Sequence, residues 1–369
     1  MRNRTTYVGL DAHKATIQIT MLVPDQKPVE WQIQNEPAAV RRLAKRLLKE
    51  GTTELATCYE AGPCGYALQR QLRSLGVACE VVAPSLIPVK PGDRIKTDRR
   101  DAKKLAELLR AGLLTEVHPP TAEEEAVRDL GRAREDATED YLRCRHRLGK
   151  MLLRRGIIWG EGKKAWTASH RVWLKSLHWE HEADQAVFED YLLAIEQVEE
   201  RIKSLDAKLE IQAQKEPYRE PVAWLRCFRG IDTVTALTVV AELHDFRRFG
   251  SPRELMAYLG LVPSEYSSSE SRRQGSITKA GNSHVRRVLV EAAWHYRRPW
   301  LPGYTLKKRR VGQPLQIIAL ADKAGQRLHR RFVRLSARGK PNCKTVVAIA
   351  RELVGFIWAA LYPRAIKSA

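Results

Sequence analysis

The segment TYVGLDAH, residues 6–13, sets the start of the fold, because it is apolar up to Asp11 and polar after it. A short apolar run that ends in a charged residue predicts a buried strand ending at Asp11. Two further strands are predicted after it, IQITMLV at 17–23 and VEWQIQN at 29–35, separated by the turn signal PDQK. The chain therefore opens with three consecutive strands.

The next part of the chain alternates helices with strands. Apolar residues at helical spacing predict a helix over Glu36–Glu50, and the apolar run LATCYEAG at 55–62 predicts a strand that ends at Glu60. A helix over Tyr66–Leu75, a strand ACEVVAP at 78–84 and an amphipathic helix over Asp98–Arg110 follow. The order β-β-β-α-β-α-β-α is that of the ribonuclease-H-like (RuvC-like) fold, an α/β mixed sheet flanked by helices.

Four acidic residues occupy matching places in this order. Asp11 and Glu60 stand at the ends of apolar strands, where an unpaired carboxylate is costly unless it meets a cation. Asp98 and Asp101 are three residues apart at the start of a helix, so their side chains share one face. Grouped carboxylates suit Mg²⁺, for which Mn²⁺ would substitute, and two such ions can assist a phosphodiester exchange. The alternative is that Asp98 merely caps the helix, with Asp101 completing a capping arrangement.

The chain changes character near residue 121, where long charged helices begin. Apolar residues from Phe188 to Leu209 step alternately by three and four, which is typical of a coiled-coil seam, and a weaker seam from Val127 to Leu148 is broken by Arg134. An antiparallel coiled-coil hairpin or oligomerising arm and an ordinary helical bundle fit equally well. The tryptophans of the segment 159–179 either pack locally or stack on bases, and packing is the simpler role.

The positive charge of the chain is concentrated at its C-terminal end. The formal net charge is +21, and residues 221–369 carry 27 Lys and Arg against 9 Asp and Glu. An excess of this size indicates a polyanionic partner such as nucleic acid. We therefore predict three domains: a RuvC-like domain at 1–120, a helical coiled-coil domain at 121–216, and a basic, mostly helical domain at 217–369. The last begins with a helix-hairpin-helix-like element centred on Gly230.

A loop rich in serine, glycine and cations lies within residues 258–296. The three consecutive serines Ser267, Ser268 and Ser269 precede a series of basic residues, and glycines stand at Gly275 and Gly281. Such a loop suits the close approach of a phosphate backbone. From chemistry alone the serines are hydrogen-bond donors or solvated residues, because no histidine that could activate one is evident from the spacing.

Cysteine usage and hydropathy bear on the compartment. The six cysteines form no CxxC pair, which argues against a zinc knuckle or a disulfide framework and favours a reducing compartment. We find neither a signal-peptide-like N-terminus nor an apolar run long enough to span a membrane. The sequence predicts a protein of the prokaryotic cytosol or nucleoid with no membrane partner.

Several segments together resemble a known family. The family is that of insertion-sequence transposases that join an N-terminal RuvC-like DEDD domain to a C-terminal serine-bearing domain. The segments similar to it are YVGLDAHK, YEAGPCGY, the run from Val81 to Gly112 containing KTDRRDA, and GLVPSEYSS with GSITKAGN. The resemblance covers nearly the whole chain in the same order. KTDxxDA and GLxP…GxITKxGN are its most specific motifs, and the tryptophan-containing middle is the least diagnostic part.

The resemblance implies a mechanism and partners. Asp11, Glu60, Asp98 and Asp101 fall on the four acidic positions of such enzymes, and the serine that becomes joined to DNA falls on Ser268. Family members usually have glycine after this serine, whereas this chain has Ser269, so Ser267 or Ser269 could take its place if the loop register shifts. The family is also guided by a structured bridge RNA that pairs with target and donor DNA. It assembles as dimers of dimers, in which one subunit's acids act with another's serine.

These features together predict a magnesium-dependent DNA transposase or recombinase. Two alternatives remain: a junction-resolving nuclease that uses metal-activated water, and a non-catalytic nucleic-acid-binding scaffold. The residues that we expect to contact nucleic acid are basic or polar and flank the two motif regions: His13, Lys14, Lys96, Arg272, Arg273, Lys279, Asn282, Arg286 and Arg287.

Overall fold

The computed structural model describes residues 5–51, 54–88, 97–160, 162–268 and 271–362. They form two compact units, Met1–Pro120 and Thr121–Ala369. Lys96 and Ser269, both named above, lie outside the described residues.

The first unit is a mixed α/β domain. Its elements are β1 (Thr5–Ala12), β2 (Thr16–Leu22), β3 (Val29–Gln34), α1 (Pro37–Glu50), β4 (Glu54–Glu60), α2 (Ala67–Ser74), β5 (Cys79–Val82), α3 (Asp98–Arg110) and β6 (Glu116–Val117). Within the described residues, six strands form one sheet in the order β3-β2-β1-β4-β5-β6. Strands β1, β4 and β5 are parallel, whereas β2 is antiparallel to β1 and β3. The predicted ribonuclease-H-like fold is confirmed, and the sequence pattern missed only the short β6.

The two faces of this sheet are covered differently. Val8, Leu10 and Tyr59 are fully buried in the core that contains the apolar residues of α1 and α2. The opposite face carries Gly9 and Cys58, and there Cys58 packs with Leu105 of α3. Because successive residues of a strand point to opposite faces, Asp11 shares the α3 face with Gly9.

Gly9 sets the distance between β1 and α3. A Cβ atom at this position would lie 2.5 Å from the backbone nitrogen of Ala106 and closer still to the carbonyl oxygen of Ala102. Only a residue without a side chain allows the helix backbone to approach β1 this closely. The inward residues of α3, Ala102 and Ala106, are small and completely buried for the same reason.

The second unit is mostly helical. Its elements are α4 (Ala122–Arg154), α5 (Ala168–Lys175), α6 (Glu182–Ala213), α7 (Arg219–Leu225), α8 (Thr233–Leu243), α9 (Pro252–Tyr258), β7 (Pro263–Glu265), β8 (Gln274–Ile277), α10 (Ser283–Ala293), α11 (Tyr304–Arg310), α12 (Leu315–Ala337) and α13 (Asn342–Leu361). Helix α4 begins with a capping box at Thr121. The Thr121 hydroxyl accepts a hydrogen bond from the Glu124 backbone amide, and the Glu124 carboxylate accepts one from the Thr121 backbone amide. This reciprocal cap is a sharp N-terminal signal for a helix.

Helices α4 and α6 pack side by side in opposite directions. The Tyr141 hydroxyl of α4 donates to Glu199 of α6 at 2.7 Å, and Arg134 pairs with Asp206 at 2.9 Å. Arg134, which interrupts the weaker apolar seam of the sequence, lies within α4, where its guanidinium pairs with this carboxylate on the partner helix. The pair has buried apolar residues at both ends, Leu209 at one and Phe188 at the other.

Helices α7, α9, α10 and α12 pack against α13. Its residues Val346, Ile349, Leu353 and Val354 are completely buried in one apolar core that also takes in Leu209 of α6 and Val127 of α4. Helices α7 and α8 form the predicted hairpin, whose turn holds Gly230 at φ +83°. A Cβ there would lie 2.5 Å from the Ala292 carbonyl oxygen, so this glycine is needed for packing against α10.

We predict that Gly9→Ala destabilises the first unit. The added methyl group forces α3 away from β1, and overpacking of this kind costs about 1–3 kcal/mol of unfolding free energy. Urea denaturation of the whole chain measures it. The matched control is Gly131→Ala in α4, where a Cβ meets open space; removing a helical glycine there should stabilise by about 0.5–1 kcal/mol. Equal stability of Gly9→Ala and the parent chain would contradict the prediction.

Candidate metal centre and serine hairpin

The carboxyl ends of β1 and β4 lie next to each other. Leu10 pairs with Tyr59 in the parallel register, so Asp11 and Glu60 are the next residues on two adjacent strands. Helix α3 crosses the same face and starts at Asp98, so its first turn lies at this end of the sheet. One face of α3 carries residues at helical spacing, namely Asp98, Asp101, Ala102 and Leu105. Ala102 and Leu105 of this face are buried.

The structure brings three potential metal ligands together at this end. Ligand atoms of Asp11, His13 and Asp98 all lie within 4.8 Å of one another. The His13 ring nitrogen Nε2 is 3.2 Å from Asp11 Oδ2 and 3.5 Å from Asp98 Oδ1. Asp11 is half-buried, whereas Asp98 and His13 are exposed. The arrangement is open on one side to a substrate.

The electrostatics of Asp11 reflect this crowding. Burial raises the pKa of Asp11 above its usual range, while His13 opposes the shift and the charges of Asp98 and Asp101 reinforce it. Burial and like charges both penalise the ionised form, and a cation relieves both penalties. A metal ion therefore fits this donor set, whose carboxylate oxygens are hard ligands.

The remaining two predicted acids take neighbouring positions. Asp101 is one helical turn after Asp98 and acts electrostatically on Asp11. Glu60 ends the adjacent strand and is exposed. Neither belongs to the close group of three, which is drawn from the described residues only. His13 does belong to it, and the sequence had indicated a phosphate contact for this residue.

Helix capping does not explain Asp98. Thr97 is the N-cap of α3, and its hydroxyl accepts from the Arg100 amide at 3.4 Å. Asp98 is therefore the first helical residue rather than the cap. The capping interpretation of this acid was wrong, because the threonine of the KTDRRDA motif already supplies the capping oxygen.

The second motif region forms a β-hairpin with Ser267 and Ser268 near its tip, where the sequence had indicated only a loop. Strands β7 and β8 are antiparallel, and the Tyr266 amide donates to the Arg273 carbonyl. Ser267 donates to Glu265 at 2.8 Å, whereas Ser268 Oγ lies 3.1 Å from Ser271 Oγ. Ser268 is exposed. Hydrogen bonds from the side chains of Gln274, which has the larger effect, and Ser267 hold the pKa of Glu265 below its usual range.

The glycines of this region hold the base of the hairpin together. A Cβ at Gly260 would lie 2.4 Å from the Ala280 nitrogen, and one at Gly281 would overlap the Tyr258 carbonyl oxygen. Both glycines have positive φ. The Thr278 amide donates to the Val262 carbonyl at 2.9 Å across the same junction. The GLxP and ITKxGN motifs are therefore two sides of one close backbone contact.

Two residues predicted to contact nucleic acid, Arg286 and Asn282, have hydrogen-bond partners within this junction. Arg286 donates to the carbonyl oxygens of Leu259 and Ala280, at 2.9 and 2.8 Å. Asn282 caps α10 by accepting from the Val285 amide, and its amide group donates to Glu242 at 2.7 Å. Both side chains have internal partners, and the sequence pattern could not distinguish such partners from a phosphate.

The other predicted contacts are more exposed. Arg287 is partly exposed and pairs with Glu135 at 2.6 Å, and Arg272 lies 3.2 Å from Glu265. Arg273 and Lys279 are exposed, and Lys279 adopts φ +56° in the turn between β8 and α10. Lys14 is exposed on the loop after β1. These cations are available to a phosphate backbone to different degrees, and Arg287 is the least available because it is paired with Glu135.

Comparison with known proteins agrees with both motif regions. Residues 8–155 match a family model described as Transposase (DEDD_Tnp_IS110), and residues 223–305 match one described as Transposase IS116/IS110/IS902 family. The chain is similar to the protein y4qE of Sinorhizobium fredii, with 42% identity over 96% of this chain and 88% of y4qE. It is also similar to the transposase for insertion sequence element IS1533 of Leptospira borgpetersenii, with 40% identity over 91% of this chain and 98% of that protein.

The fold and the acidic cluster define a metal-dependent enzyme of the DEDD type that cuts and rejoins DNA. The chain belongs to the IS116/IS110/IS902 family of insertion-element transposases. Its substrate is therefore DNA. Among the described residues, no helix is both long enough and apolar enough to cross a lipid bilayer.

We predict that Asp11→Asn weakens divalent-metal binding at least tenfold and abolishes DNA cleavage, because it removes the least exposed carboxylate of the cluster. Isothermal titration with Mn²⁺ and a strand-cleavage assay measure the two effects. Asp25→Asn is the matched control: Asp25 occupies an exposed turn at φ +59°, a conformation that asparagine tolerates. Equal metal affinity of the two variants would refute the assignment.

Proposed function

We propose that this transposase excises and inserts its own element through a serine–DNA intermediate, with Mg²⁺ as its metal and a bridge RNA as its guide. The observation that carries the proposal is the meeting of Asp11, Asp98 and His13 at the end of the RuvC-like sheet, in a chain that also presents Ser268 at an exposed hairpin tip.

The carboxylates have a binding and orienting role. Asp11 and Asp98, with Glu60 and Asp101 beside them, would hold Mg²⁺, and Mn²⁺ would substitute because it accepts the same oxygen ligands. The bound ion supplies Lewis-acid polarisation of the scissile phosphate. His13 is placed to hold Asp11 and Asp98 in position by its ring nitrogen. Half-burial of Asp11 strengthens its attraction for a cation relative to a fully solvated carboxylate.

The serine has a covalent role. Ser268 Oγ attacks the phosphorus, an Oγ–P bond forms, the P–O bond to the leaving strand breaks, and the serine proton passes to solvent or the leaving oxygen. A hydroxyl of the receiving strand then reverses the exchange, so the phosphodiester bond energy is retained. The exposed cations Arg272, Arg273 and Lys279 are suited to stabilise the charge that develops on the phosphate.

The hydrogen bonds of the hairpin favour Ser268 over Ser267. Ser267 donates to Glu265, whose pKa is lowered by its bonds to Gln274 and Ser267 and by Arg272, so this carboxylate is a weak base. The Ser268 side chain is hydrogen-bonded only to another hydroxyl, that of Ser271, among the described residues. Its Oγ is therefore free to reorient toward a phosphate.

We predict that Ser268→Ala abolishes the covalent protein–DNA adduct, whereas Ser267→Ala retains it. Incubation of each variant with element-end DNA and Mg²⁺, followed by denaturing gel electrophoresis, measures the adduct. Ser269→Ala completes the series. Cleavage by Ser268→Ala at the parent rate, with no adduct in the parent chain, would favour metal-activated water and overturn the serine mechanism.

The charge of the chain supports a nucleic-acid partner in addition to the substrate. Residues 221–369 hold 27 Lys and Arg against 9 Asp and Glu, more than a single duplex contact requires. We propose that the second partner is the guide RNA encoded beside the gene, and that the working form is a homo-oligomer, from dimer to tetramer.

We predict that protein expressed with the flanking non-coding DNA co-purifies with one structured RNA, and that RNase treatment abolishes site-specific recombination while leaving metal binding intact. Sequencing of the bound RNA and light scattering of the complex measure both properties. Full recombination after complete RNA removal would contradict the proposal of an RNA guide. A monomer at micromolar concentration with nucleic acid present would contradict the proposal of a homo-oligomer.

A further inference from the structure

A cavity lined by aromatic residues lies at the far end of the α4–α6 pair. It has a volume of about 460 Å³, and its walls come from the last turns of α4, the following loop and α5. Trp159, Trp166 and Trp173 all border it, together with His170. We refer to it as the tryptophan pocket. Neither the metal centre nor the serine hairpin contributes a residue to it.

The three tryptophans are arranged around one histidine. The His170 ring lies 5.2 Å from both Trp159 and Trp166 and 5.3 Å from Trp173, measured between ring centroids. Trp166, Trp173 and Leu148 also pack into the local apolar core, which accounts for one side of the cluster. The tryptophans nevertheless remain only partly buried, and Ile158 at the rim is 72% exposed. Core packing therefore leaves part of the aromatic surface unused.

His170 is the buried polar residue among those that line this pocket. Its exposed fraction is 5%, and Nδ1 has no hydrogen-bond partner among the described residues. Burial, reinforced by the charges of Arg145 and Arg171, lowers the pKa of His170, so the ring is neutral at pH 7. A neutral imidazole offers one donor and one acceptor, which matches the mixed donor and acceptor edge of a nucleobase. A buried polar atom without a partner is costly and calls for a ligand or water.

Cations border the same pocket. The Arg145 guanidinium lies 4.3 Å from the Trp166 ring centroid, and the Lys163 ammonium lies 5.3 Å from that of Trp159. Lys150 and His146 complete this side of the lining. Aromatic faces beside flexible cations are the combination that proteins use to stack bases of single strands while neutralising the backbone.

We propose that the tryptophan pocket receives an unpaired nucleobase of a single-stranded nucleic-acid segment. The base stacks on the exposed tryptophan surface, its edge bonds to His170, and Arg145, Lys150 and Lys163 neutralise the adjoining phosphates. This inference deepens the proposed function, because it rests on a partner with unpaired nucleotides. Both a guide RNA and an opened DNA strand supply this chemistry.

Gly149 offers a way to block the pocket without removing an aromatic residue. It lines the pocket, it is exposed, and a Cβ built on it meets nothing within 4 Å. Gly149→Leu should therefore be tolerated by α4 and should occupy part of the pocket, whereas Gly149→Ala is the matched control that leaves it open. Both substitutions remove a helical glycine, so neither should weaken the helix.

The test is fluorescence anisotropy of the full chain with labelled single-stranded RNA, single-stranded DNA and duplex DNA of one sequence. We expect Gly149→Leu to bind single strands roughly tenfold more weakly than Gly149→Ala, and to bind the duplex equally well. An effect on RNA alone assigns the base to RNA, and an effect on DNA alone assigns it to an opened strand. If the two variants bind single strands with equal affinity, or if Gly149→Leu loses as much affinity for the duplex as for single strands, the proposal that the tryptophan pocket binds an unpaired base is wrong.

A second pair of variants addresses the aromatic wall. Trp166→Leu should weaken single-strand binding by a similar factor, whereas Trp179→Leu should not, because Trp179 packs on Phe188 with centroids 5.3 Å apart and does not line the pocket. Circular dichroism confirms that each variant is folded. Equal losses in both variants would indicate a packing role only. Adduct formation by Ser268 separates the two proposals: a failed pocket leaves the adduct of the parent chain intact, whereas a failed serine mechanism leaves single-strand binding intact.

Discussion

The close approach of α3 to β1 is the constraint on which the metal centre depends. The carboxylates come from β1 and from the first turn of α3, so their separation is set by how near the helix lies to the strand. Gly9 permits that approach, because any side chain there would overlap the backbone at Ala102 and Ala106. The glycine two residues before Asp11 is thus as much a part of the site as the acids, although it touches no ligand.

The same principle recurs at the serine hairpin. Gly260 and Gly281 allow the GLxP and ITKxGN segments to contact each other through their backbones, and Arg286 bonds to carbonyl oxygens on both sides of the junction. The GLxP and ITKxGN motifs therefore serve largely to hold this hairpin in place. In the proposed mechanism the chemistry is carried by a few groups mounted on these contacts, the carboxylates in the first unit and Ser268 in the second.

The helical part of the second unit distributes its polar groups between structure and binding. Glu135 accepts from both His284 and Arg287, and Glu242 accepts from Arg132 and Asn282, so several cations and amides of the basic region are held internally. The cations left exposed, such as Arg273 and Lys279, and those around the tryptophan pocket are the ones available to phosphate. Net charge alone overstates the binding surface for this reason.

The sequence by itself determined the order of elements in the first unit, the fold that follows from it, and the four acids, because strand and helix periodicity and motif spacing are local properties. It could not determine that Thr97 rather than Asp98 caps α3, that His13 joins the carboxylates, or that Asn282 and Arg286 bond inward. Those outcomes depend on which backbone atoms lie nearby after folding. The tertiary structure also decided that the tryptophans leave an open pocket beside a buried histidine, since a spacing of seven residues between Trp159, Trp166 and Trp173 is compatible with a closed core.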